Sequence, residues 1–113
     1  MIDLERKREL YRLQAELCQT LADPTRLELL ELLGEGPRPV KELVRATGQR
    51  QAKISQHLAV MRQRGIVVAE RVGTEMHYSL ADPRILDACD ITRQMLVDRL
   101  RRQHALAEVV RGE

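Results

Sequence analysis

Apolar residues recur at helical spacing along most of this chain, and that pattern predicts a mainly helical fold. A first amphipathic helix is predicted over about residues 3–21, with an apolar stripe made of Leu10, Leu13, Leu17 and Leu21. Asp23 and Pro24 then supply a capping side chain and a proline at the first helical position, which predicts the start of a second helix. The expected buried side of this second helix consists of Leu27, Leu30 and Leu33.

The segment from Val40 to Tyr78 carries the most informative order of patterns. A short helical stretch over 40–47, a turn at Gly48 and a second helical stretch over 51–62 follow one another as in a helix-turn-helix. At about 100° per residue, the second stretch places Ile54, Leu58 and Met61 on one buried stripe. The opposite face consists of small and hydrogen-bonding residues, namely Ala52, Lys53, Ser55, Gln56 and Ala59. Such a face suits a helix whose backbone approaches base edges in a DNA major groove.

The residues after this helix follow a strand pattern. The run 66–69 is apolar, residues 71–75 interrupt it, and residues 76–80 alternate, which predicts a two-stranded hairpin or wing. Asp82 and Pro83 repeat the capping signal, so a long terminal helix is expected next. One face of that helix carries Leu86, Cys89, Leu96, Leu100, Ala107 and Val110. We therefore predict a single winged helix-turn-helix domain over 1–113, mainly α with a small β-hairpin, which dimerises through its N- and C-terminal helices.

Composition narrows the function classes. The formal net charge of +2 is too small to indicate nucleic-acid binding by itself, and the near absence of aromatic residues argues against recognition by base stacking. Two distant cysteines, the lack of a signal-peptide pattern and the lack of a membrane-spanning apolar run favour a reduced, cytoplasmic protein that does not bind membranes. No Cys-x-x-Cys pair or Gly-rich phosphate loop is present, so we do not expect an enzyme.

Four motifs in order resemble those of the ArsR/SmtB-type family of small bacterial repressors. They are LADPTRL at 21–27, SQHL at 55–58, RGIV at 64–67 and HYSL at the end of the wing, 77–80. The resemblance covers essentially the whole chain. It implies a homodimeric transcriptional repressor that binds double-stranded operator DNA and leaves it when a metal, a metalloid or a thiol oxidant binds.

Carried over by position, the resemblance implies base contacts by Gln51, Ser55 and either Gln56 or His57, with Lys53 nearby. It also implies that Arg71 or Thr74 of the wing touches phosphate or the minor groove. Gln56 can pair with adenine through two hydrogen bonds, whereas Lys53 suits an electrostatic contact. His57 keeps two interpretations open. It lies about 60° from the middle of the apolar stripe, so a half-buried structural histidine is at least as well supported as a DNA contact.

The resemblance does not identify which residues bind the effector. The start of the first helix of the helix-turn-helix has no thiol or imidazole, and Leu100 and Gln103 stand where a second metal-binding pair is expected on the last helix. Cys18 and Cys89 remain, on two helices expected to pack together in the dimer. Because thiolates favour soft ions, we expect As(III), Hg(II) or Cd(II) as effector, bound through these two residues. No cofactor is expected for folding.

Alternatives remain at this stage. The same two cysteines can act as a redox or persulfide switch, or they are ordinary small hydrophobic residues. A winged helix used only for protein contacts is a third possibility, favoured by the weak net charge and by Glu75 near the wing tip, where a carboxylate repels phosphate. The sequence leaves open the operator, the regulated genes, the effector and whether the cysteines meet within or between chains.

Overall fold

The computed structural model describes residues 3–112, so the two ends of the predicted domain, 1 and 113, lie outside the described residues. Its elements are α1 (Leu4–Thr20), α2 (Pro24–Leu33), β1 (Arg38–Pro39), α3 (Val40–Thr47), α4 (Gln51–Gln63), β2 (Val67–Val72), β3 (Glu75–Leu80) and α5 (Arg84–Arg111). These elements divide into a first unit that ends at Pro83 and a second unit that begins at Arg84. The mainly helical fold with a small wing is thereby confirmed.

The first two helices begin where the sequence supplies a capping carboxylate. The Arg6 amide donates to Asp3 Oδ1 at 2.9 Å, and the Arg26 amide donates to Asp23 Oδ1 at 3.1 Å. Pro24 occupies the first turn of α2, as the sequence predicts. Each cap provides an acceptor for a backbone N–H that has no partner within its own helix.

The core of the first unit lies between α2, α3, α4 and the start of β2. Its buried apolar residues are Leu29, Leu30, Leu33, Leu43, Ile54, Leu58, Met61, Ile66 and Val67. The stripe predicted for α4 is confirmed, because all three of its members are fully buried. The prediction for Leu27 is wrong, since this side chain is 39% exposed while Leu29 is fully buried. Positions 29, 30 and 33 share an arc of about 100°, and Leu27 points about 110° away from the middle of it.

The sheet has three antiparallel strands in the order β1-β3-β2, where the sequence predicts only a two-stranded hairpin. The added strand is β1, whose Arg38 and Pro39 pair with Tyr78 and His77 of β3. A two-residue strand that contains proline has no alternating pattern of its own, so only the long-range pairing defines it. The strand also connects the wing to the segment that leads into α3.

The wing itself has longer strands than the sequence predicts. β2 continues through Arg71 to Val72, and Val72 pairs with Glu75 at the start of β3. Only Gly73 and Thr74 remain in the turn. Gly73 has a φ of 64°, and a two-residue hairpin loop needs such a positive φ at its first central position, which glycine adopts without strain.

Two helices expose most of their apolar side chains. In the first unit, α1 exposes Leu4, Leu10, Tyr11, Leu13 and Leu17, and its only buried residue is Thr20. The second unit consists of α5, a helix of 28 residues that extends about 42 Å. It exposes Ile91, Met95, Leu96, Leu100, Leu106, Val109 and Val110. None of the helices within residues 3–112 combines the length and the hydropathy that a membrane span requires.

Candidate nucleic-acid interface

The turn between α3 and α4 is fixed by its own hydrogen bonds. Gly48 adopts a φ of 67° and its amide donates to the Val44 carbonyl at 2.9 Å, which ends α3. The Thr47 hydroxyl donates to the Leu43 carbonyl at 2.7 Å and accepts from the Gln49 amide at 3.2 Å. Since Leu43 is fully buried, these bonds tie the turn to the core and set the direction in which α4 leaves it.

The outward face and the first residue of α4 supply four of the predicted DNA contacts. Gln51, Lys53, Ser55 and Gln56 are all exposed, together with Ala52 and Ala59. The opposite face of the same helix is fully buried, so rotation of α4 about its axis is restricted. Lys53 leans back along the helix, where its Nζ donates to Gln49 Oε1 at 3.2 Å. The result is an exposed face of amides, a hydroxyl and methyl groups on a firmly seated helix.

His57 lies at the edge of this face and points elsewhere. Its side chain is only 15% exposed, and its Nε2 lies 3.8 Å from Asp23 Oδ1, the atom that caps α2. Burial alone would raise the pKa of Asp23, but the Arg26 amide and His57 outweigh this effect and hold the pKa below its usual value. The placement favours the structural interpretation of His57 that the sequence left open.

The two predicted wing contacts lie near the tip of the hairpin. Arg71 is exposed and stands in β2 opposite Met76, so it belongs to a strand and not to the predicted loop. Thr74 is exposed in the two-residue turn. A strand position gives the Arg71 backbone fixed ladder partners, so its long side chain extends from a rigid base.

Glu75, which is unexpected near a phosphate backbone, has a partner in α3. Its Oε1 lies 2.7 Å from Lys41 Nζ, and its Oε2 lies 3.7 Å from His77 Nε2. The Lys41 contact is the main reason why the pKa of Glu75 is lowered. Because the Lys41 ammonium offsets the charge of this carboxylate, Glu75 gives less support to the hypothesis of a winged helix used only for protein contacts.

Cys18 and Cys89 are both free of disulfides and lie in the two different units. Cys18 is exposed in α1, and Cys89 is half-buried near the start of α5. Burial, and secondarily Asp90, raises the pKa of Cys89, and Arg93 offsets only part of this. A raised pKa lowers the fraction of reactive thiolate at neutral pH. Within residues 3–112, no three or more His, Cys, Asp or Glu side chains are grouped closely enough to hold a metal ion.

Sequence reasoning overlooked two arginines that flank the turn. Arg50 is the N-cap residue of α4 and Arg45 lies in the last turn of α3, and both are exposed. An arginine directly before a recognition helix is a signal that the sequence already contained. The N-terminus of α4 has no side-chain cap, so its first amides remain available to an anion beside Arg50.

Comparison with known proteins gives consistent matches. The family model described as bacterial regulatory protein, arsR family, matches residues 23–68. The HTH-type transcriptional regulator Rv0081 of Mycobacterium tuberculosis is 41% identical over 104 residues, which are 91% of each chain. Its crystal structure has a TM-score of 0.75 to this chain and covers 83% of this chain and 95% of that one.

Two further proteins are similar to this chain. The probable mercury resistance operon repressor of Streptomyces lividans is 38% identical over 84 residues, 74% of this chain and 67% of the relative. The solution structure of Mb0332 from Mycobacterium bovis is described as a homodimeric winged helix-turn-helix DNA-binding domain and a possible ArsR-family regulator. It is 28% identical with a TM-score of 0.76, over 86% of this chain and 93% of that one. The descriptions of all three relatives refer to regulation of transcription or to a repressor.

Proposed function

The chain belongs to the ArsR family of bacterial transcriptional regulators, as its four motifs suggest, and on this premise we propose that it represses transcription by binding a two-fold DNA operator as a homodimer. In this proposal the two α4 helices of the dimer enter successive major grooves about 34 Å apart. The wings lie against the flanking backbone. Gene repression follows from occupancy of the operator.

The observation that carries this proposal is the outward face of α4. Gln51, Ser55 and Gln56 are exposed on a helix whose opposite face is fully buried, so they are presented at fixed positions. An amide pairs with adenine through a donor and an acceptor, and a hydroxyl serves a base or a phosphate. Ala52 and Ala59 leave room for the helix backbone to come close to the groove floor.

Charged side chains around this face supply contacts to phosphate. Lys53 and Arg50 lie at the start of α4, and Arg71 lies near the tip of the wing with Thr74 beside it. Such contacts set the register of the protein on DNA and make binding depend on salt, but they carry little sequence information. We assign His57 to the helix packing and not to this group, since its imidazole faces Asp23.

Substitution of Gln56 tests the readout. The probe is the duplex that the wild-type protein selects from a random-sequence pool, labelled for fluorescence anisotropy. Gln56→Ala should weaken binding by about 1–3 kcal/mol, because one bidentate base contact is lost. Gln14→Ala on α1 is the matched control and should bind like the wild type. Equal affinity of Gln56→Ala and the wild type would contradict the assignment of α4.

For the effector we propose a thiophilic metal or metalloid ion of the As(III), Hg(II) or Cd(II) class, bound through Cys18 and Cys89. One relative is named as a mercury resistance operon repressor, and thiolate sulfur is the ligand that such ions prefer. The ion must displace the thiol proton of Cys89, whose pKa is raised, so binding should weaken as the pH falls. Release follows if the ion binds the DNA-free conformation more tightly.

Cysteine variants separate this proposal from its rival, a redox or persulfide switch at the same residues. Cys18→Ser and Cys89→Ser should each bind the selected duplex normally but fail to release it when arsenite, mercury or cadmium is added. Ala88→Ser, next to Cys89, is the control and should release it. Mass spectrometry then distinguishes a bound ion from added sulfur or from the loss of two hydrogens. Normal release in both cysteine variants contradicts a thiol sensor.

A further inference from the structure

Two contacts made by carboxylate side chains join the α1–α2 corner to the recognition helix α4. Glu16 Oε2 lies 3.1 Å from Arg64 Nη1, at the C-cap of α4. Asp23 Oδ1 lies 3.8 Å from His57 Nε2, in the middle of α4. His57 and Arg64 are two turns apart in sequence, so they lie on nearly the same side of the helix, about 20° apart. The corner therefore contacts α4 at two points along one line.

The carboxylates of Glu16 and Asp23 also have hydrogen-bond partners within α1 and α2. Glu16 Oε1 accepts a hydrogen bond from Arg12 Nη1 at 2.7 Å, which leaves Oε2 for Arg64. Asp23 Oδ1 accepts from the Arg26 amide, and Arg26 Nε donates to the Thr20 carbonyl at the end of α1. A carboxylate fixed in this way is a firm anchor, because little side-chain freedom is left to lose when its partner binds.

Apolar packing contributes little to the contact between α1 and α4. Thr20 is the only buried residue of α1, and an open cleft of about 400 Å³ lies where α1 faces the end of α4. Leu13, Leu17 and Gln63 line this cleft together with Glu16 and Arg64. The ion pair crosses a gap that side chains leave unfilled. Polar contacts therefore contribute to the orientation of α4 relative to α1.

We propose that Glu16 and Asp23 are positioning residues for DNA recognition. Acting through Arg64 and His57, they add to the core packing of α4 in holding its outward face at the orientation that base-edge hydrogen bonds require. Those bonds depend steeply on geometry, whereas phosphate contacts tolerate small rotations. Loss of either contact should therefore reduce sequence-specific binding more than general DNA binding. This inference rests on the proposed DNA-binding function.

The variants Glu16→Gln and Asp23→Asn test the positioning role, because loss of charge and loss of the contact change DNA binding in opposite directions. Removal of a negative charge by itself strengthens binding to DNA, because repulsion of phosphate falls. Removal of a positioning contact weakens specific binding. Asparagine also remains a good N-cap, so Asp23→Asn preserves the start of α2. Glu5→Gln is the matched control, because Glu5 is an exposed carboxylate of the same helix that lies about three turns before Glu16.

The measurement is anisotropy with the duplex selected by the wild type and with a random-sequence duplex. Each variant should bind the selected duplex about two- to fivefold more weakly, the range of partly exposed ion pairs, and the random duplex as tightly as the wild type or more so. In a background of Arg64→Gln, Glu16→Gln should not weaken binding of the selected duplex any further, because the contact that it would remove is already lost. Glu5→Gln should not weaken binding to either duplex.

Unchanged or tighter binding of the selected duplex by both variants overturns the positioning role. An equal loss on both duplexes with a lower melting temperature also overturns it, since that pattern marks a folding defect. A wild-type protein that selects no duplex at all refutes the DNA-binding function itself. The two failures are thus distinguishable, because the positioning role is judged only against a wild type that selects.

Discussion

Asp23 makes two different contacts through one carboxylate oxygen. Its Oδ1 caps α2 through the Arg26 amide and also faces His57 of the recognition helix. These contacts favour the ionised carboxylate, and they outweigh the burial that would favour the neutral acid, so the pKa is lowered in the folded protein. A group of this kind stabilises the fold only while it carries its charge.

The pH dependence of stability follows from that shift. The folded-state pKa of Asp23 lies below the ordinary value of 3.8, so its contribution is complete above that value and is lost as the pH falls through the lowered pKa. Asp23→Ala should cost about 0.5–2 kcal/mol at pH 7, as for other N-caps. Thermal unfolding of the wild type and Asp23→Asn at pH 7 and pH 3 should show a smaller gap at pH 3. A gap of the same size at both values would contradict this.

At the scale of elements, the helix-turn-helix was predictable because its signals are local. Gly48 and the stripe of Ile54, Leu58 and Met61 are sufficient to place α3, the turn and α4. β1 was not predictable, because its two residues become a strand only by pairing with β3. The predicted ends of the two wing strands were wrong for a related reason, because the ends of a strand depend on the register of its partner and not on composition.

The candidate site also has some features that the sequence predicts and others that it does not. Exposure of Ser55 and Gln56 follows from helical phase, which sequence gives directly. Gln51 lies only about 20° from the buried Leu58 in phase and is exposed because it is the first residue of α4. The partner of His57 lies more than thirty positions earlier, and that of Glu75 is equally distant, so neither contact has a sequence signal. Residues that face outward could therefore be predicted, while the contacts that orient their helix could not.

Gly48 offers a test of the turn. A Cβ at this position would meet no atom within 4 Å, so a substitution is opposed by the backbone conformation alone. Gly48→Ala should destabilise the protein by about 1–2 kcal/mol, and Gly48→Asn by less, because asparagine tolerates a positive φ better. Urea unfolding measures both. The account of this turn fails if alanine costs nothing or if asparagine costs more than alanine.

At the scale of the whole molecule, α1 and α5 each leave an apolar face exposed. Aliphatic side chains such as Leu10 and Met95 are half exposed or more, and contiguous apolar faces of this kind usually mark an interface. We propose that a second copy of the chain covers them, as the homodimer described for Mb0332 suggests. A two-fold dimer presents two recognition helices, which suits an operator with two half-sites.

Light scattering after size exclusion tests the dimer. The wild type should elute with twice the mass of the 13.0 kDa chain. Met95→Glu should shift the equilibrium toward the monomer, because a carboxylate in an apolar interface loses its hydration without a partner. Gln94→Glu adds the same charge one position away and serves as the control. A monomeric wild type, or an equal response of the two variants, would contradict the proposed interface.

The most direct test of the account compares the base preferences of the wild type and Gln56→Ala, each measured on a pool of randomised duplexes. If the outward face of α4 reads DNA, the wild type should prefer a two-fold sequence. The variant should lose its preference at one symmetry-related pair of positions and keep it elsewhere. Identical preferences in the two proteins, or no preference in the wild type, would contradict the central claim.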